Sequence, residues 1–186
     1  MSNVDKWNRW YHIGLERGEP QPYGDPTTYK LGADFLADCD TVEDWGCGKG
    51  YLTNFIDPGR YRGIDGSNTP FADAVEDLAH YRPPRDPEGI FMRHVIEHDY
   101  RWRTILQNAV DSATKKLVLI LFTPIADPAV GTHEISFVPP GVPNLSFALT
   151  DLDDIIEPKF DVTWEELETN TEFGCEFVAY CTVRDE

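Results

Sequence analysis

The sequence predicts an α/β domain on a mostly parallel sheet, and three observations carry that prediction. The stretch Thr41–Trp45 runs into a turn with glycine at every second position, Gly46, Gly48 and Gly50. A second short stretch, Tyr61–Asp65, ends on an acid nineteen residues beyond Gly46. Leu117–Phe122 is an unbroken apolar run bounded by Lys116 and Thr123-Pro124, which is how a strand buried on both faces of a parallel sheet reads.

Each element follows in order. Residues 5–17 predict a short helix with Trp7, Trp10, Tyr11 and Leu15 toward one side, either packed on the core or on a second subunit or lying over the cofactor as a lid. Residues 18–26 are a Pro/Gly-rich loop. Asp25 as N-cap and Pro26 at the first helical position begin a helix to about Ala37 that buries Leu31, Phe35 and Leu36. Val42–Trp45 is the first strand, and Tyr51–Ile56 a helix stopped by Asp57-Pro58-Gly59. Tyr61–Asp65 is the second strand and Ala74–Leu78 the third. Gly66 to Asp73 is too short for a crossover helix, so a loop or single turn joins them. Ile90–His94 is the fourth strand. The helix Arg101–Lys116 carries Trp102, Ile105, Leu106, Ala109, Val110 and Ala113 as one apolar stripe. A proline-bearing loop with Pro128, Pro139, Pro140 and Pro143 follows the fifth strand. Thr150–Ile156 is a short helix capped by Thr150 or Asp151. Phe160–Glu168 and Cys175–Val183 alternate as a closing hairpin around Thr169–Gly174.

With 186 residues, 41% hydrophobic and 12% aromatic, the chain reads as one globular domain. Residues 1–40 form an N-terminal helical cap and 41–186 the core. The longest apolar run is too short for a membrane span, and the N-terminus lacks the pattern of a signal peptide. Cys39, Cys47, Cys175 and Cys181 form no CxxC pair and read as free thiols of a reducing compartment. The expected location is the cytoplasm, with no membrane partner. A net charge of −17, with no basic run longer than Lys115-Lys116, repels phosphate backbones and makes nucleic acid a disfavoured partner.

Glycine tolerates the positive φ of a tight turn and lets a ligand lie against bare backbone. Asp44 and the three glycines at alternate positions resemble motif I of the class I S-adenosylmethionine (SAM)-dependent methyltransferases, acid-x-Gly-x-Gly-x-Gly. The spacing is neither the dinucleotide fingerprint nor a P-loop. The resemblance implies a Rossmann-like sheet whose last strand inserts antiparallel between the fifth and sixth, here with a shortened αA/αB region. It implies SAM as cofactor, held at the carboxyl ends of the strands. Asp44, Trp45, Gly46, Cys47, Gly48 and Gly50 belong to the turn. Asp65 is the acid that binds both ribose hydroxyls, with Gly66 beside it. Asp77, or second Asp73, lies by the adenine. Arg93 and His94 stand at the methionine end.

His94-Val95-Ile96-Glu97-His98 resembles the segment after strand four in the same family, where it shapes the loop beside the cofactor. Read from the residues alone, His94, Glu97 and His98 share one helical face. With His133 they are candidate ligands for a divalent metal that would lower the pKa of an acceptor hydroxyl. The pattern is similar to the Glu-x-x-Glu-His plus later His of some O-methyltransferases, including small-RNA 2′-O-methyltransferases, with His94 in place of the first Glu. A metal-free option makes His94 or His98 a general base. The catalytic candidates are therefore His94, Glu97 and His98. His12 and His80 show no partner. Trp7, Trp10 and Tyr11 pack in the core or hold an aromatic or sugar substrate. The expected activity is methyl transfer to an oxygen or nitrogen of a small molecule or glycan. The alternatives are a SAM-binding regulator or scaffold without transferase activity and, third, a nucleic-acid 2′-O-methyltransferase. An open site leaves room for a homodimer to cover it.

Overall fold

The computed structural model describes residues 5–11, 26–138 and 141–184. His12, Leu15, most of the loop 18–26 including Asp25, and Pro139 and Pro140 lie outside them. Among the described residues, α1 (5–11) precedes α2 (Thr27–Phe35), β1 (Val42–Trp45), β2 (Tyr61–Asp65), β3 (Ala74–Val75) and β4 (Gly89–Arg93). Then come α3 (Trp102–Ser112), β5 (Lys116–Leu121), β6 (His133–Val138), β7 (Val142–Ser146), α4 (Leu149–Ile156), β8 (Phe160–Glu168) and β9 (Cys175–Val183). No helix among these residues is long and apolar enough to cross a membrane.

Seven strands form one sheet in the order β3-β2-β1-β4-β5-β9-β8. β1 to β5 run parallel. β9 lies antiparallel between β5 and β8, as the resemblance implies. The central strands alternate between two buried faces. Phe91, Val118 and Ile120 pack with Ala33, Leu36 and Leu52 on one side. Ile90, Met92, Leu117, Leu119 and Leu121 pack with Ile105, Leu106, Leu152 and Ile156 on the other. Thus α2 fills one face, and α3 and α4 fill the other. α2 was assigned to the cap on sequence, yet it is part of the core layer.

The departures have physical reasons. The expected helix Tyr51–Ile56 is a single 3₁₀ turn, Tyr51–Asn54, entered from left-handed Gly50. The expected third strand shrinks to two residues, Ala74 and Val75, paired with Ile64 and Asp65 at the end of β2. Pro26 stands at the N-cap, not at the first helical position. α2 buries Thr28, Gly32 and Ala33 with Leu36 just beyond, whereas Leu31 and Phe35 are only half-buried. α3 stops at Ser112, since Ala113 is extended and Lys116 already pairs with Gly89 in the sheet. α4 begins at Leu149 without a side-chain cap. Asp151 instead accepts hydrogen bonds from Thr132 Oγ1 at 2.6 Å and Arg103 at 2.9 Å. The proline-bearing loop holds the hairpin β6–β7. Pro143 is compatible with β7 because a two-stranded sheet has only edges.

Gly32 sets how closely α2 approaches the sheet. A Cβ there would meet Phe91 Cε2 at 2.4 Å, and Phe91 is fully buried and stacked on Tyr29. Overpacking of about 1–3 kcal/mol works against roughly 1 kcal/mol of helix propensity. Gly32→Ala is therefore expected to lower stability by about 1 kcal/mol, or about 2–4 °C in Tm. A thermal melt that rises on this substitution would show the packing to be looser.

Candidate active site

The site is built from two turns that share one carboxylate. Gly46, Gly48 and Gly50 have φ of 79°, 53° and 69°, conformations strained for any residue with a Cβ. The Gly48 N–H donates to Asp65 Oδ2 at 2.9 Å, and the Ser67 N–H to Asp65 Oδ1 at 2.7 Å. Thr69 Oγ1 donates back to the Gly48 carbonyl at 2.7 Å. Asp65 is 5% exposed, and burial pushes its pKa up against the pull of those two backbone donors. A carboxylate offers about four acceptor positions, and the Gly48 and Ser67 backbone and the Ser67 side chain do not use them all. Asp44 lies beneath the turn, where it accepts from Tyr61 Oη at 3.2 Å. Burial first, and then the charge of Asp65, pushes it up to about 7.

Not every expected residue of the motif faces the site. Trp45 turns into the core, its indole N–H on Glu43 at 2.9 Å and its ring on Tyr81. Gly50 sits against Phe71 and lines neither cavity.

Two cavities open at the carboxyl ends of the parallel strands. The larger, about 560 Å³, is walled by Asp65, Gly66, Ser67, Asp77 and Arg101. The smaller, about 220 Å³, is lined by Trp10, Cys47, Tyr29, Tyr51, Arg93 and Phe122. Trp7, Tyr11, Gly46, His94 and His98 line both. Asp77 is held by Arg101 at 2.7 Å and His80 at 2.9 Å. Burial opposes these hydrogen bonds, which nevertheless hold its carboxyl below the usual range. Asp73 is exposed and accepts from the Gly63 N–H at 2.8 Å; of the two acids only Asp77 lines the cavity.

α1 lies across both cavities. Lys6 Nζ donates to the Gly141 carbonyl at 2.5 Å, and Asn8 Oδ1 accepts from the Asn68 N–H at 2.6 Å. Trp7 packs on His98 with ring centres 5.0 Å apart. A Cβ on Gly48 would meet Tyr11 Oη at 2.9 Å. Of the two roles expected for this helix, its position is that of a lid.

The expected three-ligand face on residues 94–98 does not form. This segment is one 3₁₀ turn, Ile96–His98, and His94 precedes it in the left-handed region at φ 56°. The side chains therefore diverge. Glu97 is fully buried and accepts from the Phe122 N–H at 3.0 Å. His98 Nδ1 lies 2.9 Å from the Pro143 carbonyl. His94 Nε2 lies 2.6 Å from Glu176 Oε1. His133 is exposed and bonds the Gly131 carbonyl. No group of three metal-ligating side chains converges among the described residues.

Arg93 is expected at the cofactor's methionine end, and its guanidinium does line the smaller cavity. It also donates to Thr28 Oγ1 at 3.0 Å and Glu176 Oε1 at 2.8 Å, over the Tyr29 ring. Sequence reading missed Thr28 and Glu176. The available signal was a lone acid on the β9 face that otherwise carries Val178 and Tyr180.

Two of these acids make stability pH-dependent. Burial pushes Glu97 up to about 8 and Asp44 to about 7, while unfolded carboxyls titrate near pH 4. The folded chain keeps protons that the unfolded chain has lost. That stabilisation is complete below pH 4 and disappears as pH rises through 7 to 8. His94 and His98 are pushed down by burial, so above pH 7 they are neutral in both states. Stability is expected to fall by roughly 1 kcal/mol between pH 7 and 9, and Glu97→Gln to flatten that slope. An equally steep slope in the variant would refute the assignment to Glu97.

The sheet order with antiparallel β9 between β5 and β8 is the fold of class I SAM-dependent methyltransferases. No family model and no curated protein matches the sequence, whereas solved structures match it in shape. The 1,6-didemethyltoxoflavin-N1-methyltransferase of Burkholderia thailandensis is similar with TM-score 0.71 at 13% identity, covering 98% of this chain and 87% of that one. The N-methyltransferase NodS of Bradyrhizobium japonicum gives 0.67 at 15%, covering 97% and 100%. The magnesium protoporphyrin IX methyltransferase of Synechocystis gives 0.66 at 16%, covering 97% and 98%. All three were solved with S-adenosylhomocysteine bound. At these identities the likeness establishes the fold.

Proposed function

We propose that the chain is a SAM-dependent methyltransferase acting on an oxygen or nitrogen of a small molecule or glycan. The observation that carries the reading is the Asp65 carboxylate, clasped by the glycine turn on the wall of the larger cavity at the carboxyl edge of the sheet. Vicinal ribose hydroxyls need such a two-oxygen acceptor. The charge fits as well. Asp44 and Asp65 are buried and their pKa values raised, a setting that a cationic cofactor relieves. Asp77 on the same wall suits the adenine amino group, and the positive-φ glycines let a ligand reach bare backbone. When bound, SAM supplies a methyl group on a sulfonium, with a neutral thioether as leaving group.

The chain's own task is to orient the acceptor and take its proton. His98 presents Nδ1 to a carbonyl, which only accepts, so Nδ1 carries the hydrogen and Nε2 the lone pair. Burial pushes its pKa down to about 4, which leaves it neutral at pH 7. The aromatic lining of the smaller cavity suits a flat or apolar acceptor, and similar folds named for 1,6-didemethyltoxoflavin and magnesium protoporphyrin IX support small-molecule acceptors. Unpaired Cys39, Cys47, Cys175 and Cys181 support the cytoplasm as location.

Calorimetric titration with S-adenosylhomocysteine tests the reading. Micromolar binding is expected, weakened at least about tenfold by Asp65→Ala, equivalent to about 1.4 kcal/mol. A binding signal absent from folded wild-type protein would sink the reading. Tryptophan fluorescence is expected to change on the same titration and the change to shrink in Trp7→Phe, because Trp7 borders both cavities and Trp10 only the smaller one.

A further inference from the structure

The side chain that holds His94 comes from the far end of the chain. β9 runs antiparallel to β5, so its first residues lie at the carboxyl edge of the parallel strands, where β4 delivers His94. Glu176 is fully buried there. Its Oε1 accepts from Thr28 Oγ1 at 3.1 Å and Arg93 Nη2 at 2.8 Å, and His94 Nε2 lies 2.6 Å from the same oxygen. Thr28 is itself fixed by Arg93 Nε at 3.0 Å.

His94 is the one described non-glycine residue with positive φ, 56°. The left-handed region is disfavoured for a residue with a Cβ, and here it places the ring between Glu176 and Phe122, whose ring centre is 4.7 Å away. Burial pushes the Glu176 carboxyl up, whereas the always-cationic Arg93 and the Thr28 hydroxyl, both bonded to it, favour its ionised form. An ionised carboxylate only accepts hydrogen bonds. The Nε2 of His94 must then carry the hydrogen, and the lone pair is at Nδ1. Burial, and then the charge of Arg93, keep the ring neutral at physiological pH.

We propose that Glu176 is a positioning residue that fixes His94 as its Nε2–H tautomer, so that Nδ1 accepts the proton of a protic methyl acceptor, a hydroxyl or an N–H. This rests on the methyltransferase reading. In the step, the X–H pair stays on X as the attacking lone pair, and the proton joins the Nδ1 lone pair. The imidazolium charge that results is offset by the Glu176 carboxylate. The logic is that of a carboxylate holding a general-base histidine in one tautomer.

The test is long-range ¹H–¹⁵N NMR on histidine-labelled full-length protein with S-adenosylhomocysteine, His94 being assigned by its loss in His94→Gln. Nε2 is expected as the N–H nitrogen and Nδ1 as the bare one in the wild type. Glu176→Gln offers an amide N–H to Nε2 and is expected to move the population to the Nδ1–H form. Glu176→Asp, which keeps the carboxylate, restores the wild-type pattern. On any member of a panel of phenols, heteroaromatic N–H compounds and amino sugars methylated by the wild type, Glu176→Gln is expected to lower kcat about 10²-fold or more, with acceptor KM unchanged. A wild-type Nδ1–H tautomer, or a tautomer indifferent to Glu176→Gln, overturns the proposal, and the wild-type spectrum decides even if the variant does not fold. Failure of S-adenosylhomocysteine to bind defeats the methyltransferase reading instead, and the tautomer is read all the same.

Discussion

The Asp65 carboxylate is the point on which the site depends. It belongs to β2, yet one oxygen takes the N–H of the turn after β1 and the other the N–H of its own turn. Two adjacent parallel strands are thereby tied at their carboxyl ends, where no crossover helix steadies them. The tie is costly, because a buried carboxylate is destabilised until its oxygens are hydrogen-bonded. Only backbone that runs in positive φ can bring Gly48 to it. The glycine spacing, the acid and the sheet register are one constraint seen at three levels.

A fold with abbreviated crossovers must cover its sheet by other means. Helix α2, which comes before the first strand, supplies the layer behind Phe91, Val118 and Ile120. Residues 5–11 cover the carboxyl edge. The hairpin β6–β7 fixes both this covering helix, through Gly141, and the imidazole of His98, through Pro143. Elements outside the conventional strand–helix alternation thus do the shaping around the two cavities.

The sheet was legible because its determinants are local. The closing hairpin Phe160–Glu168 and Cys175–Val183 matches residue for residue, since alternation over most of its length and a Gly174 turn specify it. Asp44, Gly46, Gly48 and Asp65 were legible because turn chemistry restricts what can stand there. The histidine segment was misread: helical spacing suggested convergence, but a left-handed His94 breaks the period that the spacing assumes. Glu176 lies 82 residues from its partner, and no local pattern encodes an antiparallel insertion that joins them. The hairpin β6–β7 was hidden by its prolines, which argue against strands except at edges.

The two outer strands set what the sheet permits next to it. One edge, β3, is two residues long. The other, β8, is nine residues long and exposes Asp161, Glu165, Glu166 and Glu168. A short edge and a row of like charges both discourage strand addition. A second copy of the chain brings the same acids to the same edge, in a molecule of net charge −17. Self-association by continuing the sheet is therefore opposed at either end, and the hydrogen-bonding groups of β8 stay in water without becoming a template for aggregation.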